Sequence, residues 1–240
     1  MQHHDATAGD HRPEEHHRHA TPPPAGDQRR HPDVDEETAR FWEEHYGRRE
    51  RVWSGRPNPV LVDVATPLPA GTVLDLGCGE GGDAIWLAGR GWRVTAVDVA
   101  ETALARAAEE ASAAGVASRI EFHRHDLTRT FPPGEFDLVS AQFLQSPLEF
   151  PRGELLRSAA RAVAPGGRLL VVEHGEAPPW GRANHAHAHF PTVRETFAAL
   201  DLDPDRWHTE RLDTPRRQAT GPDGEIGTLV DNVVLVRRTR

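Results

Sequence analysis

The stretch Val73 to Gly82, VLDLGCGEGG, constrains the fold more than any other part of the chain. Four residues of strand character run straight into glycines at positions 77, 79, 81 and 82. Glycine lets the backbone turn sharply and lets a ligand approach with no Cβ in the way. A following helix would offer its N-terminal N–H groups at the same place. In parallel sheets, ligands sit beyond the carboxyl ends of the strands, near the switch in strand order.

The chain around this turn alternates strand and helix patterns. TVLDLG (72–77), RVTAVD (93–98), RIEFHRHD (119–126), FDLVSAQ (136–142) and RLLVVEH (168–174) read as strands. Helices are expected from Gly82 to Gly89, with Ile85, Trp86 and Ala88 inward, from Ala100 to Ala114, and from Leu155 to Val163, the last ending at Pro165-Gly166-Gly167. Such a rhythm predicts an α/β doubly wound, mostly parallel sheet with helices on both faces. Downstream, a helix over 192–200 precedes strand candidates at 207–214 and 228–237, with Gly221-Pro222-Asp223-Gly224 as the turn. Two successive strands without a helix between them predict an antiparallel pair at one edge. Upstream, Phe41, Trp42, His45 and Tyr46 are spaced as one helix face, and a short helix is expected from Val60.

Residues 1–34 are rich in His, Pro and charge and poor in large apolar side chains, which predicts a disordered tail. Residues 35–240 then form one domain. No apolar run reaches the roughly 20 residues that span a bilayer, and no apolar signal-peptide core is seen, so a cytoplasmic protein with no membrane partner is expected. The net charge of −9 argues against a large nucleic-acid footprint. Every basic residue other than histidine is arginine. Without lysine the chain can form neither a pyridoxal-phosphate Schiff base nor a Walker-type phosphate loop. The single cysteine, Cys78, excludes an internal disulfide and a multi-cysteine metal site, and it reads as a small filler in the glycine turn.

The turn also satisfies the dinucleotide pattern G-x-G-x-x-G, with Asp98 near the expected distance, so a nicotinamide-dependent oxidoreductase is an alternative. A non-catalytic cofactor-sensing or partner-binding module is another. Asp75 argues for a different ligand. It is charged where dinucleotide folds usually place an apolar residue, and a carboxylate there suits a positive amino group rather than a pyrophosphate. Asp98 ends the second strand, where a carboxylate can accept from both hydroxyls of a ribose. Asp126 follows the third strand, where it can accept from an adenine amino group or simply serve a turn.

VLDLGCGEGG, VTAVDVA, HDL, FDLVSA and APGGRLLVVE together resemble the successive motifs of the class I S-adenosylmethionine-dependent methyltransferases. The resemblance covers about residues 40–240. It implies a Rossmann-like seven-stranded sheet of order 3-2-1-4-5-7-6, with strand seven antiparallel. It implies S-adenosylmethionine as cofactor and S-adenosylhomocysteine as product. Asp75, Gly77, Cys78, Gly79 and Gly81 would line the methionine end, Asp98 the ribose and Val99 the adenine. Asp126 and Leu127 would complete the adenine pocket, and Gln142 would border the substrate entrance. The lead-in Phe41-Trp42, Tyr46, Trp53-Ser54-Gly55 and Asn58-Pro59 resembles the thiopurine- and tellurite-resistance-type branch. There a segment before the first strand closes over the cofactor, which makes Trp53 and Asn58 candidate contacts. Core packing of Trp42 and Trp53 is the alternative.

The methyl acceptor leaves fewer traces. Amino-directed nucleic-acid enzymes resemble [DN]-PP-[YF] after strand four, whereas this chain has Ser140-Ala141-Gln142-Phe143. Carbon-5 pyrimidine and arsenite methyltransferases use cysteines that this chain lacks. A small-molecule acceptor remains, handled by a monomer or homodimer. His174 ends the fifth strand, and His185, His187 and His189 alternate shortly after. His174, His185 and His189 are candidate catalytic bases, since imidazole titrates near neutral pH. The alternatives are a three-histidine metal site or a polar loop, and the first choice is no metal. Arg216 and Arg217 are either anion-binding or solvated.

Overall fold

The computed structural model describes residues 34–181, 189–221 and 224–239. The tail expected over 1–34 therefore lies outside the described residues except for Val34, as do His185 and His187. Two helices lead into the sheet. In α1 (Glu36–Gly47) the side chain of Asp35 caps the first turn by accepting from the Glu37 and Thr38 N–H groups. In α2 (Pro59–Ala65) Asn58 accepts from Val60 N–H, and proline stands in the first turn, where its missing donor costs nothing.

The alternating core follows as β1 (Thr72–Leu76), α3 (Gly82–Gly89), β2 (Arg93–Asp98), α4 (Glu101–Ala113), β3 (Ile120–Arg124), β4 (Phe136–Gln142), α5 (Arg152–Arg161) and β5 (Val163–His174). The C-terminal part supplies α6 (Val193–Ala199), β6 (Trp207–Asp213), β7 (Arg216–Thr220) and β8 (Ile226–Arg238). The main path of the sheet is β3-β2-β1-β4-β5-β8-β6. The expected Rossmann-like order is found, with β8 in the place of the seventh strand and antiparallel to both β5 and β6.

Three expectations are corrected. The sheet has eight strands rather than seven, because β7 pairs antiparallel with the first part of β8. The fifth helix ends at Arg161, and Pro165-Gly166-Gly167 lie inside the run of β5 rather than in a helix terminus. Gly167 is needed there because a Cβ would stand 2.9 Å from the carbonyl oxygens of Ala164, Phe136 and Asp137. On α3 the deeply buried positions are Ala84, Leu87 and Ala88, while Ile85 and Trp86 are only partly covered.

Both faces of the sheet are covered, which explains the continuous apolar runs of β1, β4 and β5. One core layer joins Leu61 of α2 and Leu87 of α3 to Val94, Leu138, Leu170, Val172, Val233 and Leu235. The other joins Leu156 of α5 and Leu200 to Leu74, Val139, Leu169, Val171, Val234 and Val236. Residues 169–172 and 233–236 alternate between the layers, as a strand requires. No helix among the described residues is long and apolar enough to cross a membrane.

Candidate active site

The carboxyl ends of β1, β2, β4 and β5 open into a cavity of about 740 Å³. Its floor is the glycine turn. Gly79 has φ +52, and a Cβ there would stand 2.9 Å from the Tyr46 hydroxyl, so only glycine fits without strain. Asp98 closes the turn from the next strand. Its carboxylate accepts from Gly79 N–H at 2.9 Å and Ala100 N–H at 3.0 Å. Gly81, φ +80, starts α3 and packs toward Ala107 of α4 rather than lining the cavity.

Three carboxylates crowd this floor. Asp75 is 2% exposed, and its Oδ2 is buried with no hydrogen-bond partner. Burial first, and then the neighbouring Asp83 and Asp98, push its carboxyl well above the usual range. Burial also raises Asp98, outweighing the N–H groups it accepts from. Asp83, at the start of α3, accepts from Asn58 N–H at 2.6 Å, yet burial still lifts it to about 6. Like charges this close disfavour joint ionisation. A cation held among them would favour their ionised forms.

A strap from Val52 to Asn58 covers the turn. Glu80 holds it down, accepting from Val52 N–H at 3.0 Å, Trp53 N–H at 2.9 Å and Arg106 Nη1 at 2.8 Å. Burial alone would push Glu80 up, but these donors outweigh it and hold the carboxyl below its ordinary value. Trp53 is 53% exposed at the cavity wall and donates Nε1–H to the Tyr46 hydroxyl. Trp42 lines the cavity as well, and packs beside Tyr46, Ala100 and Ala103. Asn58 lines the cavity while its side chain caps α2.

The other sequence candidates come together around the same space. Val99, Leu127 and Gln142 line it, and Gln142 Oε1 is buried without a partner. Asp126 lines it too, but both its oxygens are in use. Oδ2 accepts from Asp35 N–H at 2.7 Å, and Oδ1 from the Thr128 N–H and hydroxyl. It therefore ties the start of α1 to the end of β3, with one lone pair on Oδ2 left for a ligand. His174 lines the far end of the cavity. His189 does not: it is 76% exposed and lies 4.0 Å from Glu195. Among the described residues no group of three potential ligands could hold a metal.

Sequence reasoning missed Glu80 and Asp83, although both sit inside or beside the glycine motif. It also missed Asp231, which nothing in its own stretch of sequence marks. Asp231 is 2% exposed, lies 3.4 Å from His174 Nδ1 without good hydrogen-bond alignment, and accepts from Arg217 Nε at 2.6 Å. Burial alone would raise its carboxyl, but His174 and Arg217 outweigh that and hold it below the usual value.

A methyltransferase-domain family model matches residues 73–167. The chain is 34% identical over 182 residues to the 2-heptyl-1-hydroxyquinolin-4(1H)-one methyltransferase of Mycobacteroides abscessus, covering 73% of this chain and 76% of that protein. It belongs to the class I S-adenosylmethionine-dependent methyltransferases. Two solved structures show the same architecture. One, from work on conversion of a disulfide bond into a thioacetal group during echinomycin biosynthesis, superposes with a TM-score of 0.66 at 26% identity, over 83% of this chain and 92% of the other. The N-methyltransferase NodS of Bradyrhizobium japonicum, bound to S-adenosylhomocysteine, superposes with a TM-score of 0.62 at 17% identity, over 84% and 99%.

The cavity floor fits the family's cofactor. S-adenosylmethionine carries an ammonium and a sulfonium, the cations that Asp75 and its neighbours require, and when bound it supplies an electrophilic methyl group. A nicotinamide dinucleotide would instead bring its pyrophosphate against three carboxylates. The partnerless Asp75 Oδ2 is the observation that separates the two.

Proposed function

We propose that this chain transfers the methyl group of S-adenosylmethionine to a small-molecule nucleophile by in-line displacement. The observation that carries this reading is one continuous cavity running from the acidic glycine turn to His174. Its volume of about 740 Å³ falls in the range of about 300–1,000 Å³ usual for small-molecule sites. Asp75 and Asp83 receive the amino-acid end of the cofactor, Asp98 the ribose, and Val99, Asp126 and Leu127 the adenine. The strap with Trp53 and Asn58 closes over it, in the manner of the thiopurine- and tellurite-resistance-type branch. The acceptor enters beside Gln142, and His174 is the base when the acceptor carries a proton. The M. abscessus relative is named for a small hydroxylated heterocycle, which supports an acceptor of that size.

Holding two reactants in line supplies much of the rate, so the chain's main task is positioning. Calorimetry with S-adenosylhomocysteine tests the reading. Micromolar binding by the wild type and loss of binding by Asp98→Ala is the expected pair of results. A chain that ignores S-adenosylhomocysteine but binds NAD would reverse the assignment.

A further inference from the structure

At the end of the cavity away from the glycine turn, three strands bring together a second set of charged groups. His174 ends β5, and the antiparallel register sets Asp231 of β8 directly opposite it. Arg217 comes from β7, the strand that the family's seven-strand pattern does not contain. Asp231 touches both partners, through Oδ1 with His174 and through Oδ2 with Arg217 Nε. Phe143 packs against both His174 and Arg217. Its ring is 4.5 Å from that of His174 and 5.6 Å from the Arg217 guanidinium.

Phe143 reaches that position at φ +52, a conformation non-glycine residues rarely adopt, held by its N–H to Val172 carbonyl at 2.6 Å. Strain of this kind persists where surrounding contacts over-determine it, and it clusters at functional sites. With Nδ1 turned toward Asp231, the opposite ring nitrogen of His174, Nε2, is left for another partner. Arg217 remains 37% exposed and lines the cavity, with N–H groups beyond those used on Asp231. His174 and Arg217 both reach the cavity, which a purely structural ion pair would not require. Neighbouring strands lie about 4.8 Å apart, and β4 alone separates β5 from β1. His174, on β5, is therefore about 10 Å from the acidic turn. The N–H groups of Arg217 not used on Asp231 suit the anionic oxygen or sulfur of an acceptor at this end.

We propose that His174, Asp231 and Arg217 form an acceptor-activating unit selective for a flat, weakly acidic hydroxyl or thiol compound. Asp231, whose Oδ1 lies 3.4 Å from Nδ1, is a positioning residue whose carboxylate steadies the imidazole by charge rather than through an aligned hydrogen bond. His174 Nε2 takes the acceptor's proton, and Arg217 holds the oxyanion or thiolate. The X–H bond breaks with its electron pair left on X. A lone pair of X forms the new bond to the methyl carbon, while the carbon–sulfur pair departs with sulfur, giving a neutral thioether. The proton stays on His174 until solvent removes it. This unit rests on the proposed methyltransferase reading, and the test separates the two.

Methyl transfer is measured with three bicyclic probes of similar size: 2-naphthol, 2-naphthalenethiol and isoquinoline, whose nitrogen has no proton to lose. S-adenosylhomocysteine binding is measured on every variant. The wild type is expected to methylate the naphthol and the thiol but not isoquinoline. His174→Gln should lower kcat/KM for the naphthol at pH 7 by about 10²–10⁴, with recovery as the pH passes the naphthol's own ionisation. Asp231→Asn should show the same recovery in milder form. Arg217→Gln should raise KM for both acids about tenfold or more, with S-adenosylhomocysteine affinity unchanged, and Arg217→Lys should restore part of it. Preferred methylation of isoquinoline overturns the unit, as does a loss on the naphthol in His174→Gln that persists undiminished above the naphthol's own ionisation. Normal S-adenosylhomocysteine binding with no acid methylated also overturns it while leaving the methyltransferase reading intact. Absence of S-adenosylhomocysteine binding overturns both.

Discussion

Acid should weaken S-adenosylhomocysteine binding, because burial holds protons on the carboxylates that receive its ammonium group. Asp83 titrates at about 6, and Asp75 lies well above the usual carboxylate range. An ammonium at about 4 Å in a site of effective dielectric about 20 is worth roughly 4 kcal/mol. At about 1.4 kcal/mol per pKa unit, that is enough to keep Asp83 ionised in the complex between pH 5 and pH 7.5. The sign follows directly. Below its free-state pKa, Asp83 must release a proton before it can pair with the cation, so affinity falls as pH falls. With a pKa of about 6, the free carboxyl is about 90% protonated at pH 5 and almost fully ionised at pH 7.5. The dissociation constant should therefore rise at least about tenfold over that interval, about 1.4 kcal/mol. Asp75 adds to the effect in the same direction. Isothermal titration at pH 5.0, 6.0, 6.75 and 7.5, in buffers of different ionisation enthalpy, reads both the affinity and the protons released. Asp83→Asn keeps an oxygen for Asn58 N–H and should bind more weakly at pH 7.5 with a flatter profile. An affinity that stays constant or strengthens toward pH 5, with no proton released, would refute the role given to this cluster.

Three further outcomes follow from the geometry. Glu80→Gln replaces charged hydrogen bonds to Val52, Trp53 and Arg106, each worth about 1.5–3 kcal/mol, and should free the strap. Limited proteolysis should then cut within residues 49–56 faster than in the wild type, and an unchanged digest would count against the anchor. Gly79→Ala forces a side chain onto φ +52 and against the Tyr46 hydroxyl, so S-adenosylhomocysteine affinity should drop about tenfold or more, at least about 1.4 kcal/mol, on titration. Leu138→Ala, at a fully buried position of β4 in contact with both neighbouring strands, should cost about 2–5 kcal/mol in a urea melt.

The features written in short stretches were legible. The acids at 75 and 98 and the glycines between them lie within one β-turn-α unit and the strand after it. Their spacing reports a local geometry that needs little help from the rest of the chain. The caps at Asp35 and Asn58 act over two or three residues, so they too are local. β7 was not legible. Arg-Arg-Gln-Ala-Thr carries no apolar alternation, and it becomes a strand because the first part of β8 offers it a free edge. Pro165-Gly166-Gly167 misled in the opposite sense. The turn-forming residues are real, but pairing of Val163 with Phe136 and of Arg168 with Leu138 carries the strand past them.

The sequence alone determined the class of sheet, the family and the acidic glycine turn at one end of the cavity, because these depend on periodicity and on a contiguous motif. Only the tertiary structure decided which groups meet at the other end. His174, Arg217 and Asp231 belong to three strands, and no local pattern links them. Antiparallel pairing of β5 and β7 with β8 sets them side by side. Backbone hydrogen bonds fix that register, so the chemistry at this end depends on strand pairing rather than on proximity along the chain.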